Sequence, residues 1–362
     1  MTKKSGKNIK KISVKSILPR VRFHSSSPEL DGLVDELLSV SGPKRDDSFL
    51  REMLITILRI REDELETADV KLMNTTLKEL WYSFKVFQPY RHVRKVAVFG
   101  SARTPHTDPA YLQAKNFAHE IVKHGWMVIT GASSGIMSAG NEGAGREKSF
   151  GVNIRLPFEQ GANPVIEGDR KLINYKYFFT RKLMFVRESD ATCLCPGGFG
   201  THDEGFETLT LVQTGKATPR PIICLDPPGS TYWKDWRGYI EKQLGKGKMI
   251  DPNDLDLVHF THDAAEAARV IAKFYSHYHS LRYIQDLLVM RIKKPLSRKL
   301  LTAINREFAD IVVKGTIRQQ RKPFEQEELE RHTHHLTRLF FYFDRRHHVR
   351  VKQLVDWINS HA

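Results

Sequence analysis

Cysteine is scarce in this chain, with 3 in 362 residues: Cys193, Cys195 and Cys224. All three sit in apolar, strand-like runs, so the disulfide framework of small secreted domains is not expected. Long hydrophobic runs are lacking too. No stretch approaches the roughly 18 apolar residues of a membrane span. The basic N-terminus lacks the apolar core and cleavage site of a secretory signal. A reduced, cytoplasmic protein is expected, with no membrane partner. Two nucleotide motifs are also missing. No glycine run leads into Gly-Lys-Ser/Thr, and no G-x-G-x-x-G follows the first strand-like segment. Their absence argues against a P-loop NTPase and a standard dehydrogenase.

Acidic residues are absent from positions 1–20, which hold 7 Lys and Arg. Residues 281–362 hold 17 Lys and Arg against 9 acids. Together these ends account for the net charge of +15, so the middle of the chain is neutral. Such ends can attract nucleic acid or another polyanion. The simpler reading is a basic tail and a solvated helical face, with nucleic acid left open as a partner.

Four regions are expected. Residues 1–28 form a basic tail without ordered structure. Residues 29–90 form a helical N-terminal extension, with apolar stripes through Leu50, Met53, Leu54, Ile57 and Leu58 and through Leu77, Leu80, Trp81 and Phe84. Residues 91–280 alternate apolar runs with amphipathic helices. Val96–Phe99, Met127–Thr130, Val152–Leu156, Ala191–Cys195, Pro221–Leu225 and Leu257–Phe260 are expected strands. That pattern predicts an α/β fold, a doubly wound Rossmann-like parallel sheet with helices on both faces. Residues 281–362 are expected to be a basic helical extension: the helix from Ala264 continues to Leu288, and a last one runs from Leu336 to Ile358.

The most informative segment is Pro196-Gly197-Gly198-Phe199-Gly200-Thr201-His202-Asp203-Glu204. It lies between an expected strand and an expected helix. Its glycines let backbone approach a ligand closely, and the amides at a helix start suit an anion. Thr201 adds a hydroxyl. Glu204 puts a carboxylate one turn away, where it can act on another part of the same ligand. Two further strand exits, Gly100-Ser101-Ala102-Arg103 and Gly131-Ala132-Ser133-Ser134-Gly135, point to the same crevice. The second also matches G-x-S-x-G, the nucleophile elbow of hydrolases, for which Asp226 and His262 would complete a triad. The favoured reading is that its small residues admit a nucleotide. Arg181 and Lys182, one βα unit upstream of the signature loop, are plausible ligand contacts. Histidines 332, 334, 335, 347 and 348 lie among arginines without a recognisable ligand spacing, so no metal site is expected.

These residues resemble a known family. Pro196 to Glu204 is similar to the P-G-G-x-G-T-x-x-E signature of the Lonely Guy family, cytokinin-activating phosphoribohydrolases and related nucleotide 5′-monophosphate nucleosidases, often labelled lysine decarboxylase-like. Arg181-Lys182 followed by Met184, the early Gly100-Ser101 turn, and Gly131 with Gly135-Ile136-Met137 resemble its other elements. The resemblance spans residues 92–275. Ser138-Ala139 departs from the family pattern, as does Ala132-Ser133-Ser134, and both departures bear on base preference.

The resemblance implies hydrolysis of the N-glycosidic bond of a purine nucleoside 5′-monophosphate, of the AMP or cytokinin riboside monophosphate type, to free base and ribose 5-phosphate. It implies Arg181 and Glu204 as catalytic residues, and Gly197, Gly198, Gly200 and Thr201 as the phosphate loop. Gly100, Ser101, Gly131, Gly135, Met137, Lys182 and Met184 complete the implied substrate site. No cofactor is implied, and a homo-oligomer is expected. The alternative is a non-catalytic carrier that holds a nucleotide or phosphorylated cofactor in the same fold.

Overall fold

Seven short apolar runs between residues 95 and 261 pair into one sheet. They are β1 (Lys95–Phe99), β2 (Met127–Thr130), β3 (Ser149–Ile154), β4 (Leu172–Tyr175), β5 (Ala191–Leu194), β6 (Ile222–Leu225) and β7 (Val258–Thr261). Their order is β4-β3-β2-β1-β5-β6-β7, and every pairing is parallel. The structure is a computed structural model, which describes residues 24–25, 27–40, 42, 47–155 and 161–362. Most of the expected tail therefore lies outside the described residues, as does Leu156, the expected end of the third strand.

Strands β1, β2, β5 and β6 are buried at every position, as a sheet covered on both faces requires. One face packs on α4 (Pro109–Lys123) and α9 (Ala264–Phe274) through Phe117, Ile121, Ala267 and Ile271. The opposite face packs Ala97, Ile129 and Leu194 with Met184, Phe185 and Val212. Those last three residues sit on α6 (Phe178–Glu188) and α7 (Phe199–Gln213). The remaining helix of the sheet's switch region is α5 (Ile136–Ala144), and α8 (Tyr232–Tyr239) follows β6. A doubly wound α/β sheet is the fold. The strand that sequence missed is β4, an edge strand whose residues alternate in burial and include the polar Asn174.

The N-terminal helices are α1 (Pro28–Val40), α2 (Asp47–Glu62) and α3 (Thr67–Phe87). Among the described residues, those up to Leu77 form one compact unit and those from Lys78 onward another. Within the first, the Arg51 Nε–H donates to Asp35 Oδ1 at 2.7 Å, tying α2 to α1. Leu50, Met53 and Ile57 of the expected stripe are exposed.

The C-terminal region corrects the helical expectation. It is mixed: β8 (Tyr278–Ile284), β9 (Leu287–Ile292), β10 (Val312–Gln320) and β11 (Thr337–Phe343) form an antiparallel sheet in the order β10-β11-β9-β8. Only α10 (Arg298–Glu307) and α11 (His348–His361) are α-helices there. The helix from Ala264 stops at Phe274, and the last one starts at His348, not Leu336. Two physical signals were misleading. Two-residue hairpin turns need positive φ and usually announce it with glycine or asparagine, but here Gln285 takes φ +52°. Thr337–Phe343 is aromatic-rich, which suits a pleated, half-buried surface better than a helix. Nor is residue 281 a domain boundary: it falls inside β8, and Leu288, Met290, Leu339 and Phe341 share one core with Val96 and Ile271. Part of the basic excess is internal too. Buried Glu327 pairs with Arg291 Nη2 at 2.7 Å and with Arg338 Nε at 3.1 Å.

Candidate active site

The strand order reverses between β1 and β5, and a crevice opens beyond their carboxyl ends, the place where such sheets bind ligands. The loops leaving these strands are packed tightly. The Ser101 N–H donates to Pro196 O at 3.1 Å, and the Ile136 N–H donates to Ser101 O at 3.0 Å. A Cβ on Gly197 would lie 2.1 Å from Thr201 Oγ1 and 2.9 Å from Ser101 N, so only glycine fits there. Gly135 has φ +62°, and a Cβ on it would lie 2.2 Å from Ser101 O.

Between these loops lies a cavity of about 810 Å³, within the usual range for small-ligand sites, roughly 300–1,000 Å³. Gly100, Ser101, Gly131 and Met137 line it. So do Arg181, Gly197, Gly198, Gly200, Thr201 and Glu204. Gly198 caps α7, and a Cβ on it or on Gly200 would meet nothing within 4 Å. The Thr201 and His202 amides already donate to Gly198 O at 3.0 and 3.2 Å. That leaves the helix-start amides of Gly198, Phe199 and Gly200 available to an anion, with Thr201 offering its hydroxyl. No acidic residue occupies the first turn of α7 to oppose an anion.

Glu204, one turn on, is 5% exposed. Its Oε1 lies 3.4 Å from Lys182 Nζ and 3.9 Å from Arg181 Nη2. Burial raises the Glu204 pKa above the ordinary carboxylate value, and Lys182 and Arg181 only partly offset it. For Lys182, burial works to lower the pKa, but contacts with Asp203 at 2.9 Å, Glu204, and Glu207 at 3.0 Å outweigh it and leave it raised. The Arg181 guanidinium lies over the Phe178 ring at 4.9 Å. Its helix is pinned by Thr180, whose hydroxyl donates to Glu79 Oε2 at 2.5 Å. The result is a buried carboxylate and an arginine facing one cavity, with a lysine behind the carboxylate.

Three predicted site residues fall elsewhere. Met184 is fully buried in the core under the sheet and is not part of the cavity wall. On α6 the cavity face carries Phe178, Arg181 and Phe185, and Met184 is turned away from it. Lys182 stands between α6 and α7, touching acids of α7. Gly135 shapes the loop from outside the wall. Ser138 and Ala139 are buried outside the cavity lining, the Ser138 hydroxyl reaching Glu142 Oε1 at 3.4 Å. Wall residues Arg103, Asn153, Phe178, Phe185 and His202 carried no assigned role in the sequence, whereas Ser133 was the serine of the G-x-S-x-G match. Arg103 stood in a strand exit already singled out; Asn153 had no local signal.

The serine-triad alternative fails on topology. Three strand intervals separate β2 from β6, about 14 Å, and four separate β2 from β7, about 19 Å. Asp226 instead accepts hydrogen bonds from Ser230 Oγ and Trp233 N, both at 2.9 Å.

Residues 131–271 match the model of a family described as possible lysine decarboxylase. The matched span includes the middle loop, Arg181 and the signature loop, but not Gly100 or Ser101. No curated protein matches the chain. Among solved structures, a structural-genomics protein is 23% identical over 49% of this chain and 98% of its own, with a TM-score of 0.36. The molybdenum cofactor carrier protein from Chlamydomonas reinhardtii is 19% identical over 49% of this chain and 96% of its own, at 0.35. The molybdenum cofactor binding protein from Rippkaea orientalis is 18% identical over 49% and 94%, also at 0.35.

A decarboxylase using pyridoxal phosphate needs a lysine amine inside the site. No lysine lines the cavity among the described residues, and Lys182 Nζ is engaged by three carboxylates behind it. The residues do not fit that cofactor. Among the described residues no group of three His, Cys, Asp or Glu side chains could hold a metal ion. No described helix is long and apolar enough to cross a membrane.

Proposed function

We propose that the protein hydrolyses the N-glycosidic bond of a purine nucleoside 5′-monophosphate, giving free base and ribose 5-phosphate. The observation that carries this reading is the buried Glu204 carboxylate one turn beyond the glycine-rich start of α7, with Arg181 lining the same cavity. A phosphate bound at Gly198 to Thr201 would leave the ribose one turn deeper, beside Glu204. A pure anion receptor gains nothing from a buried negative charge there.

The geometry supports the following roles. Binding energy from the remote phosphate orients the sugar. As the C–N bond lengthens, positive charge grows on the ribose ring, and the Glu204 carboxylate stabilises it or takes a proton from the attacking water. Water oxygen joins the anomeric carbon, the bonding pair leaves with the base, and a proton completes the base. Arg181, held over Phe178, contacts ribose or departing base. Met137 and Ser133, which also line the cavity, are candidates to contact the base.

The test is a panel of nucleoside monophosphates incubated with the full chain, with free base separated by chromatography. Purine release from AMP or a cytokinin riboside monophosphate supports the reading. Tight binding with the nucleotide recovered intact would make the protein a carrier.

A further inference from the structure

We propose that Tyr232 and His202 form a positioning element that holds the Gly197–Gly198 peptide with its amide aimed into the cavity. It rests on the reading that this loop receives a phosphate. Tyr232 is distant in sequence, on α8 after β6, and belongs to no motif. Its hydroxyl donates to Gly197 O at 2.5 Å and meets His202 Nε2 at 2.7 Å. A hydroxyl has one proton, and here the carbonyl takes it. His202 Nε2 therefore carries hydrogen and donates to the Tyr232 oxygen.

The consequence lies in the peptide plane. In a trans peptide the C=O and the following N–H point in opposite directions. Fixing the Gly197 carbonyl toward Tyr232 therefore turns the Gly198 N–H away from Tyr232, toward the cavity that Gly198 lines. Both flanking residues are glycine, so no Cβ resists rotation of that plane. The Tyr232 hydroxyl supplies the missing restraint.

The restraint is itself anchored to the sheet. At the end of β6, buried Asp226 accepts from Trp233 N and from Ser230 Oγ, and the Tyr232 N–H donates to Ser230 Oγ at 3.2 Å. The His202 ring lies between Tyr232 at 6.0 Å and Phe206 at 6.2 Å, with Trp233 edge-on at 5.9 Å. Asp226, a candidate triad acid by sequence, serves here as the foot of this brace.

Calorimetry of the full chain with ribose 5-phosphate and with inorganic phosphate, alongside steady-state kinetics with AMP, tests the proposal. Tyr232→Phe should weaken both ligands about tenfold, the scale of one charge-assisted hydrogen bond. KM for AMP should rise by the same factor, with a much smaller change in kcat. His202→Gln, which keeps a donor, should bind close to wild type, while His202→Leu should resemble Tyr232→Phe. The proposal is overturned if Tyr232→Phe, with an unchanged unfolding midpoint, binds ribose 5-phosphate as wild type does. It is also overturned if the variant loses AMP and adenosine equally, as general loosening would cause. If wild type binds ribose 5-phosphate but releases no base, and Tyr232→Phe loses that binding, the positioning role stands and the hydrolase reading falls. If wild type binds neither phosphate ligand, both fall.

Discussion

Replacing Glu204 with Gln removes one charge and little volume, from a side chain that is 5% exposed. Lys182 keeps Asp203 at 2.9 Å and Glu207 at 3.0 Å, so the substitution leaves it paired. The loss can be worked from Coulomb's law. A full positive charge on the ribose about 4 Å from the carboxylate, at an effective dielectric near 20, gives about 4 kcal/mol. An oxocarbenium-like state carries part of that charge, so kcat should fall about 10²- to 10³-fold, matching the usual loss of one preorganised electrostatic group. Adenine release from AMP, followed by chromatography at saturating AMP and neutral pH, measures it. Calorimetry should show AMP still bound, since the phosphate loop is untouched. Turnover within about twofold of wild type in a folded Glu204→Gln protein would refute the assignment.

Other expectations follow from the same residues. Glu204 has a folded pKa above its unfolded value, so its protonated form favours the folded state. That stability is fully present below the unfolded pKa and is lost as pH rises through the folded one. Glu204→Gln should therefore melt higher than wild type at neutral pH, with the gap closing in acid; a lower melting point at neutral pH would contradict the sign. Activity needs the carboxylate, so kcat/KM should fall as pH drops through the raised Glu204 pKa. Lys182→Met removes a cation that lowers that pKa, and should move the acid limb of the pH profile to higher pH. Gly197→Ala would set a Cβ against Thr201 and the Ser101 backbone, and should cost both stability and binding. Gly198→Ala meets no protein atom within 4 Å and should leave thermal unfolding unchanged while weakening ribose 5-phosphate, by calorimetry. Arg181→Ala should remove most base release while the protein stays folded, checked by circular dichroism and the same chromatography.

The central sheet was legible because its strands are buried on both faces, leaving continuous apolar runs such as Met127–Thr130. Edge strand β4 was not, since one side of Leu172–Tyr175 is exposed and its pattern is broken by Asn174. The small C-terminal sheet was hidden by turns built without glycine, at Gln285 and again at Arg345, where φ is +58°. In the site, residues within one loop were readable: glycine where backbone crowds backbone, Glu204 a turn past a helix start. What depends on residues distant in sequence was not. Tyr232 meets Gly197 across 35 positions, and Met184 lies one helix face away from the cavity that Arg181 borders. Spacing along the chain cannot show which side of α6 the crevice takes.

In the proposed reaction, water cleaves a bound purine nucleotide at its glycosidic bond. The most direct measurement is to incubate AMP with the full chain in ¹⁸O-labelled water and analyse the products by mass spectrometry. Equal amounts of adenine and ribose 5-phosphate are expected, the latter labelled at its anomeric oxygen in samples quenched before exchange. AMP recovered intact from a tight complex, with neither product formed, would contradict it.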